Sequence, residues 1–199
     1  GLKEDYKLSK LLHALALQLG GTINYTELNN LTNDTYKELV SNINILKKTF
    51  VISESKPFYT NKRIELSKNP KIFFIDNGFR NLIINSFQDF KNRTDKGQLY
   101  ENFVSSEIVK NELDLKYWRT KSKAEIDFSI EKEGKIIPFD IKSDIRKPIV
   151  TKAIYSFIDK YKPEKVFLLS ENLDIEKKIN SKKLIFKPIF YTGKIIEKV

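Results

Sequence analysis

The 199-residue chain contains no cysteine and no methionine, and it has a single histidine, His13. Without cysteine it has no disulfide, thiol nucleophile or thiolate zinc site, which fits a cytoplasmic protein. One histidine excludes a multi-histidine metal centre, and ordinary helix packing explains His13 better than a Ser-His-Asp triad. No run of about 18 apolar residues occurs, so we expect no transmembrane helix and no membrane partner. A chain that starts at Gly1 without methionine is expected to be a fragment.

Acidic side chains are outnumbered by basic ones, and the formal net charge is +10. Such an excess favours polyanionic partners such as DNA. The basic residues are spread along both halves of the chain, so a coding bias towards lysine explains the composition equally well. No G-x-x-x-x-G-K-[ST] motif is present, and nucleotide hydrolysis by a phosphate loop is not expected of these residues.

Hydrophobic periodicity predicts three helices in the first fifty residues. The first covers residues 6–19 and ends at Gly20-Gly21, the second starts at Thr26, and Asn33-Asp34-Thr35 cap the third. Residues 50–52 and 58–59 then read as two strands that are separated by a turn at 55–57. Three helices followed by a hairpin predict a winged helix-turn-helix domain.

The third helix of this domain is the candidate reader of a DNA major groove. Its exposed face and the wing carry a weakly basic set of side chains: Lys37, Glu38, Asn42, Asn44, Lys47, Lys48 and, on the wing, Lys56. Winged helices also serve as packing or dimerisation modules, so the sequence leaves DNA contact by this segment open.

A change of pattern near residue 90 divides the chain. A strand at 71–75 and a helix at 76–87, capped by Asp76, precede the polar segment 89–96, which we interpret as a linker. The predicted domains are therefore residues 1–90 and 95–199. In the second, a helix, three strands, a helix and a strand follow one another, at 97–111, 115–119, 124–131, 137–142, 149–160 and 166–170, with a last strand at 184–190. This order predicts a mixed α/β core within an α+β chain.

Two aspartates and a lysine fall on the central hairpin of that core. Apolar residues alternate with polar ones in 124–131, and Glu133-Gly134 supplies a turn. In the returning strand Asp140 and Lys142 share the face opposite the aliphatic one, beside Asp127 of the first strand. Two neighbouring carboxylates repel each other unless a cation joins them. The pattern therefore predicts a divalent-metal site with a lysine beside it.

Magnesium or manganese would take carboxylate oxygens from Asp127 and Asp140 and the backbone carbonyl of Ile141. Lys142 could stabilise a phosphorane-like transition state, and the reaction class implied is phosphodiester hydrolysis. Glu101, at the margin of the apolar stripe on helix 97–111, is a further candidate ligand. Glu107 ranks second, because it can instead pair with a lysine or arginine in the fold.

Structural explanations compete with these assignments. The charges on the hairpin can form cross-strand pairs on a solvated face, each worth about 0.2–1 kcal/mol. Trp118 is expected to be a core residue rather than a stacking platform for nucleic acid. Lys121 and Lys123 are suited to phosphate contact or simply to solvent.

The segment Asp127…Asp140-Ile141-Lys142 resembles the PD-(D/E)XK signature of restriction-endonuclease-like nucleases, with Glu101 as the glutamate of the first core helix. The proline of that signature is missing, since Ile126 precedes Asp127. The wider chain resembles the C-terminal portion of prokaryotic AAA-type ATPases, on stretches such as NPKIFFIDNGFRNLI, KGQLYENFVSSEI and IPFDIKS. This resemblance implies metal-dependent DNA cleavage or binding and an N-terminal ATPase module outside the fragment.

The leading hypothesis is a magnesium-dependent DNA endonuclease with catalytic Asp127, Asp140, Lys142 and Glu101. The competing hypothesis is a non-catalytic DNA- or partner-binding module coupled to the ATPase. A third is a structural oligomerisation domain.

Overall fold

The computed structural model describes residues 2–59, 65, 68–143, 145, 147–179 and 181–198. It contains two compact units, each built from two stretches of chain. The first unit comprises Gly1–Glu54 and Asn69–Ser106, and the second comprises Ser55–Lys68 and Glu107–Val199. The chain therefore passes from one unit to the other inside a strand and inside a helix, whereas the sequence pattern placed a single boundary at residues 90–95.

The secondary structure is the predicted mixture of helices and strands. The helices are α1 Leu2–Leu17, α2 Tyr25–Thr32, α3 Tyr36–Lys48, α4 Asn77–Ile83, α5 Lys96–Lys110, α6 Lys152–Tyr161 and α7 Thr192–Glu197. The strands are β1 Ile52–Pro57, β2 Lys71–Phe74, β3 Lys116–Arg119, β4 Glu125–Lys132, β5 Lys135–Ile141, β6 Lys165–Ser170, β7 Ile175–Ile179 and β8 Lys182–Pro188. In the part of the chain that the structure describes, no helix has the length and apolar character needed to cross a bilayer.

Local hydrogen bonds fix the starts of the helices in the first unit. The Asn24 side chain accepts from the Glu27 N–H at the start of α2. At α3, Thr35 and Glu38 form a reciprocal capping box, as the sequence around residue 35 predicts. The buried positions Leu39, Ile43 and Leu46 then give α3 its inner face, in agreement with the hydrophobic periodicity that predicts this helix.

The strands of the first unit differ from the prediction. Residues 55–57 do not form a turn, because β1 runs through them without interruption, and Phe58 and Tyr59 lie outside any strand. The predicted hairpin at 50–59 is therefore wrong. Instead, β2 lies next to β1, and Thr22 forms an isolated antiparallel bridge with Lys71 of β2.

The polar segment 89–96, which we interpreted as a linker, is tied to α4 by buried ion pairs. Asp95 accepts hydrogen bonds from Arg80 at 2.6 Å and from Arg93 at 2.8 Å. The two guanidinium side chains are only 4% and 3% exposed. The hydrogen bond from Arg93 and the neighbouring Arg80 lower the pKa of Asp95 to about 2. This arrangement holds the segment in a defined place.

The second unit is built on a mixed sheet with the order β1, β3, β4, β5, β6, β8, β7, to which β1 contributes its last residues. The pairs β1–β3, β5–β6 and β6–β8 are parallel, and β3–β4, β4–β5 and β7–β8 are antiparallel. Helix α6 connects β5 to β6 and buries Ile154 and Phe157 against a core that includes Trp118. The burial of Trp118 confirms the structural interpretation of this residue. Strand β7 and helix α7 were not predicted.

The Asp95 cluster generates a test of stability. Asp95→Asn leaves two buried guanidinium groups without their shared carboxylate, and we expect a loss of about 3 kcal/mol in the free energy of unfolding at pH 7. Because the pKa of Asp95 is depressed in the folded state, its contribution is present above about pH 4 and disappears as the pH falls towards 2. Urea denaturation of both proteins at pH 7 and pH 2.5 measures this.

Asp89→Asn is the matched control, because Asp89 caps only the short 3-10 turn at residues 90–92. We expect this variant to lose about 1 kcal/mol or less. Equal losses in the two variants would contradict a special role for the Asp95 cluster.

Candidate active site

The hairpin that carries the candidate residues closes with a tight turn. Glu133 and Gly134 both have positive φ, 52° and 74°. Positive φ at two successive turn residues matches the right-handed twist of antiparallel strands. The register then sets Phe128 opposite Phe139, and one step further along it Asp127 lies next to Asp140.

A β-bulge lies at Asp127. Strand β3 places Trp118 opposite Ile126 but Lys116 opposite Ser129, so β4 advances three residues where β3 advances two. The extra residue falls between Ile126 and Ser129, and it breaks the alternation on which the sequence prediction relied. Beyond the bulge Phe128, Ser129 and Ile130 are all buried, so both faces of the sheet are covered at this point. The bulge turns the Asp127 side chain towards the end of β5, where it contacts the backbone of that strand.

Asp140 is buried in the middle of the sheet. Strand β5 lies between β4 and β6, and Asp140 is paired with Leu168 of β6. Only 1% of its surface is exposed. The hairpin face that carries Asp140 is therefore not a solvated one, and the alternative of exposed cross-strand charge pairs is wrong for this residue.

Three hydrogen bonds connect the predicted site residues at the end of β5. The Ile141 N–H donates to Asp127 Oδ2 at 2.7 Å. The Lys142 ammonium donates to Asp140 Oδ1 at 3.1 Å and to the Ile141 carbonyl at 3.2 Å. The structure thus brings Asp127, Asp140, Ile141 and Lys142 together as the sequence predicts.

One oxygen of this group has no partner. Asp140 Oδ2 is buried, and no protein donor in the described structure reaches it. Burial, followed by the repulsion of Asp127, raises the pKa of Asp140 to about 7, against the opposing attraction of Lys142. A carboxylate in this state is stabilised either by a proton or by an additional cation.

The donor set suits a hard divalent cation that keeps part of its water shell. Oxygens are available from Asp140, Asp127 and the Ile141 carbonyl, and magnesium is commonly held by one or two carboxylates together with waters and phosphates. The unpartnered Oδ2 is the observation that favours such an ion. Among the described residues, no group of three or more histidine, aspartate and glutamate side chains is close enough to hold a metal by itself.

The glutamates of α5 are placed differently. Glu101 belongs to the first compact unit, whereas the four residues of the hairpin site belong to the second. Its Oε2 lies against Gly20, 3.4 Å from where a Cβ on that glycine would stand. Glu107 forms an ion pair with Lys110 at 3.2 Å, the alternative that the sequence left open. Glu101 as a metal ligand stays a prediction.

Charged residues near the hairpin show what sequence reasoning missed. Arg119, next to the buried Trp118, forms an ion pair with Glu125 at 3.5 Å. Lys121 and Lys123 are exposed in the turn between β3 and β4. The bulge at Asp127 and the burial of Asp140 carry no local sequence signal, because both depend on neighbouring strands.

Comparison with known families divides the chain into two parts. Residues 96–189 match the family model described as Domain of unknown function (DUF4143), a domain known from the C-termini of AAA ATPases. Residues 2–89 match the model described as Domain of unknown function (DUF8612). No curated protein matches the chain.

The raised pKa of Asp140 predicts a pH-dependent stability difference. In the folded state Asp140 keeps its proton up to about pH 7, whereas in the unfolded chain it ionises near pH 4, so its burial costs more as the pH rises between these values. Asp140→Asn removes this cost. We expect the variant to unfold at nearly the wild-type temperature at pH 4 and at a higher temperature at pH 8. The difference at pH 8 corresponds to a gain of at least about 1 kcal/mol in the free energy of unfolding.

Thermal unfolding followed by circular dichroism between pH 4 and pH 8, without metal, measures the effect. Asp159→Asn on the exposed side of α6 is the control, and it should show no such trend. An Asp140→Asn protein that is less stable than the wild type at pH 8 would contradict a cost of burying the ionised carboxylate.

Proposed function

We propose that the second half of the chain carries a magnesium-dependent nuclease site of the PD-(D/E)XK type, which hydrolyses phosphodiester bonds in DNA. The observation that carries the proposal is the buried, unpartnered Oδ2 of Asp140, beside Asp127 and an ammonium. A purely structural hairpin has no need for this arrangement, because burying a carboxylate oxygen without a partner costs free energy. Functional sites are where such costs are retained.

The residues of the site would divide the chemistry among themselves. Asp140, Asp127 and the Ile141 carbonyl would hold the magnesium ion, which supplies a water that is acidic enough to act as a nucleophile. Lys142, whose side chain is 38% exposed, can turn from Asp140 towards a phosphate and stabilise its developing negative charge. Glu101 remains a candidate fourth ligand or a group that orders the water.

The first half of the chain would serve as a winged-helix DNA-binding module. Support comes from the three helices, of which α2 and α3 are capped, together with the Thr22–Lys71 bridge and the neighbouring β1 and β2. The match of residues 96–189 supports a position at the C-terminus of an AAA-type ATPase, with the ATP-binding module N-terminal to this segment. A cytoplasmic location fits this proposal.

Magnesium binding is tested by thermal unfolding at pH 8, where Asp140 is ionised. A ligand that binds only the folded state stabilises it by mass action, so 5 mM MgCl₂ should raise the unfolding temperature of the wild type. Asp140→Asn should abolish the rise, since it removes the unpartnered oxygen. Lys142→Met should retain the rise in unfolding temperature, but its rate of plasmid DNA cleavage should fall about a hundredfold or more.

Asp159→Asn again serves as the control, with full magnesium response and full cleavage. Manganese should replace magnesium in both assays, and EDTA should remove cleavage. If 10 mM magnesium or manganese neither changes the unfolding temperature nor leads to cleavage of the DNA, the proposal of a metal-dependent nuclease is wrong.

A second candidate function is a non-catalytic DNA- or partner-binding module coupled to the ATPase. The observation that favours it is the position of the Lys142 ammonium, which already contacts Asp140 Oδ1 and the Ile141 carbonyl. This contact supplies a positive charge where a metal ion would otherwise bind. The site would then stabilise the hairpin, and the α3 face would make the DNA contacts.

DNA binding by α3 is tested in EDTA with a fluorescent 20-base-pair duplex. Lys37→Glu combined with Lys48→Glu changes two exposed cations of α3, and it should weaken binding about tenfold or more and reduce the salt dependence. Lys177→Glu combined with Lys160→Glu is a control with the same change of charge outside α3. Binding that is absent, or that is equally reduced in both variants, would favour a structural oligomerisation domain.

A further inference from the structure

A cavity of about 470 Å³ lies in the second unit and takes no part in the proposed nuclease site. Its floor is formed by Phe167 of β6 and Ile185 of β8, which are partners in a parallel pair. Phe167 also stacks on Phe139 of β5, with ring centroids 5.3 Å apart. The alternating positions of the same strands, such as Leu168, are buried in the core with α6. The cavity therefore opens on the face of the sheet opposite α6.

Four lysines surround the cavity. Lys165 belongs to β6 and Lys187 to β8, while Lys194 and Lys198 come from α7 and its end. Among the described residues, Glu176 is the only acidic one in the lining, which gives a formal net charge of +3 (four lysines less one glutamate). Lys187 is already paired with Asp174 at 2.5 Å, just outside the lining. In the described part of the chain, no carboxylate forms an ion pair with Lys165, Lys194 or Lys198. Lys165 lies 5.6 Å from the Phe167 ring centroid, a contact that leaves its charge unneutralised. Three cations without a carboxylate partner around an apolar floor favour an anionic ligand that also has an apolar part.

Two aromatic rings stand at the edge of this cavity. Tyr191 belongs to its lining, and Phe190 packs against Tyr191 in a tilted arrangement, with centroids 4.6 Å apart and an interplanar angle of 36°. Phe190 is 67% exposed and Tyr191 is 36% exposed, although burial would be favourable for both. The Lys194 ammonium lies 5.8 Å from the Tyr191 ring centroid. Flat rings beside lysines are the combination that binds bases and phosphates of single-stranded nucleic acid.

We propose that this cavity binds a single-stranded nucleic acid segment, with a base stacked at Phe190 and Tyr191 and the adjoining phosphates held by Lys165, Lys194 and Lys198. The site lies on the opposite face of the sheet from α6 and uses none of the residues assigned to metal chemistry. It therefore stands independently of the proposed nuclease. An acidic peptide would satisfy the lysines but would leave the exposed ring pair without a stacking partner.

The test uses fluorescence anisotropy of the full chain with labelled dT12 in EDTA, so that cleavage does not interfere. Two comparison probes have the same label and number of phosphates per strand: an abasic 12-mer and a 12-base-pair duplex. We expect dT12 to bind at least about tenfold more tightly than the abasic strand, because stacking of each base contributes substantially. In a Lys37→Glu, Lys48→Glu background, which removes the proposed duplex contacts of α3, we also expect dT12 to bind more tightly than the duplex, whose bases are not free to stack.

Variants of the cavity separate its two parts. Lys194→Glu combined with Lys198→Glu should weaken the binding of dT12 at least tenfold. It should also reduce the slope of log K against log salt by about 1.4, because each phosphate that is no longer neutralised accounts for about 0.7. Tyr191→Ala should weaken the binding of dT12 about tenfold without changing that slope. Tyr191→Phe, which keeps the aromatic ring, should bind dT12 as the wild type does. The unfolding temperature of each variant establishes that it is folded.

Lys177→Glu combined with Lys160→Glu is the matched control, and it should bind dT12 as the wild type does. Because the dT12 measurements are made in EDTA, they do not depend on the metal site, so failure of the cavity and failure of the metal site give different results. The proposal is overturned by absent dT12 binding, by an abasic strand that binds as tightly, by a duplex that binds as tightly when α3 carries Lys37→Glu and Lys48→Glu, or by equal weakening in the control.

Discussion

The burial of Asp140 is the constraint around which the second unit is organised. An ionised carboxylate in the middle of a sheet is costly unless donors or cations surround it. Strands β4 and β6 enclose Asp140 from both sides, and only Lys142 donates to its carboxylate among the described residues. The Ile141 N–H donates to the Asp127 carboxylate, which fixes the second acidic group beside the first. The fold thus concentrates two acidic groups and one ammonium at the end of a central strand.

The hairpin and its charged residues could be predicted from local sequence, but their environment could not. Alternation over 124–131 and the Glu133-Gly134 turn are sufficient to define two strands. These local signals do not show that the hairpin face carrying Asp140 is covered. The helix that covers it, α6, and the neighbouring strand β6 follow later in the chain. The bulge at Asp127 arises from pairing with β3 and is equally invisible in the local pattern.

Two segments of the N-terminal half have contacts that their composition does not reveal, for the same reason. Ser55-Lys56-Pro57 has the composition of a turn, yet it forms a strand because Lys56 and Pro57 pair with Lys116 and Tyr117, about sixty residues away. The polar segment 89–96 has the composition of a linker, yet Arg93 and Asp95 anchor it through Arg80. In both cases the stabilising partner is distant in sequence, and composition alone describes only the residues themselves. The helices, by contrast, carry their caps locally and were predicted well, as at Thr35.

The parallel pairing of β1 with β3 also bears on how the molecule can be dissected. A polypeptide cut to residues 96–189 would retain β3 but lose the short piece of β1 that covers its outer edge. It would also lack α7 and, with it, two lysines of the cavity. An uncovered strand offers its backbone groups to other chains and promotes self-association. The smallest autonomous piece for solution work therefore has to begin upstream of Ser55 and continue through the last helix.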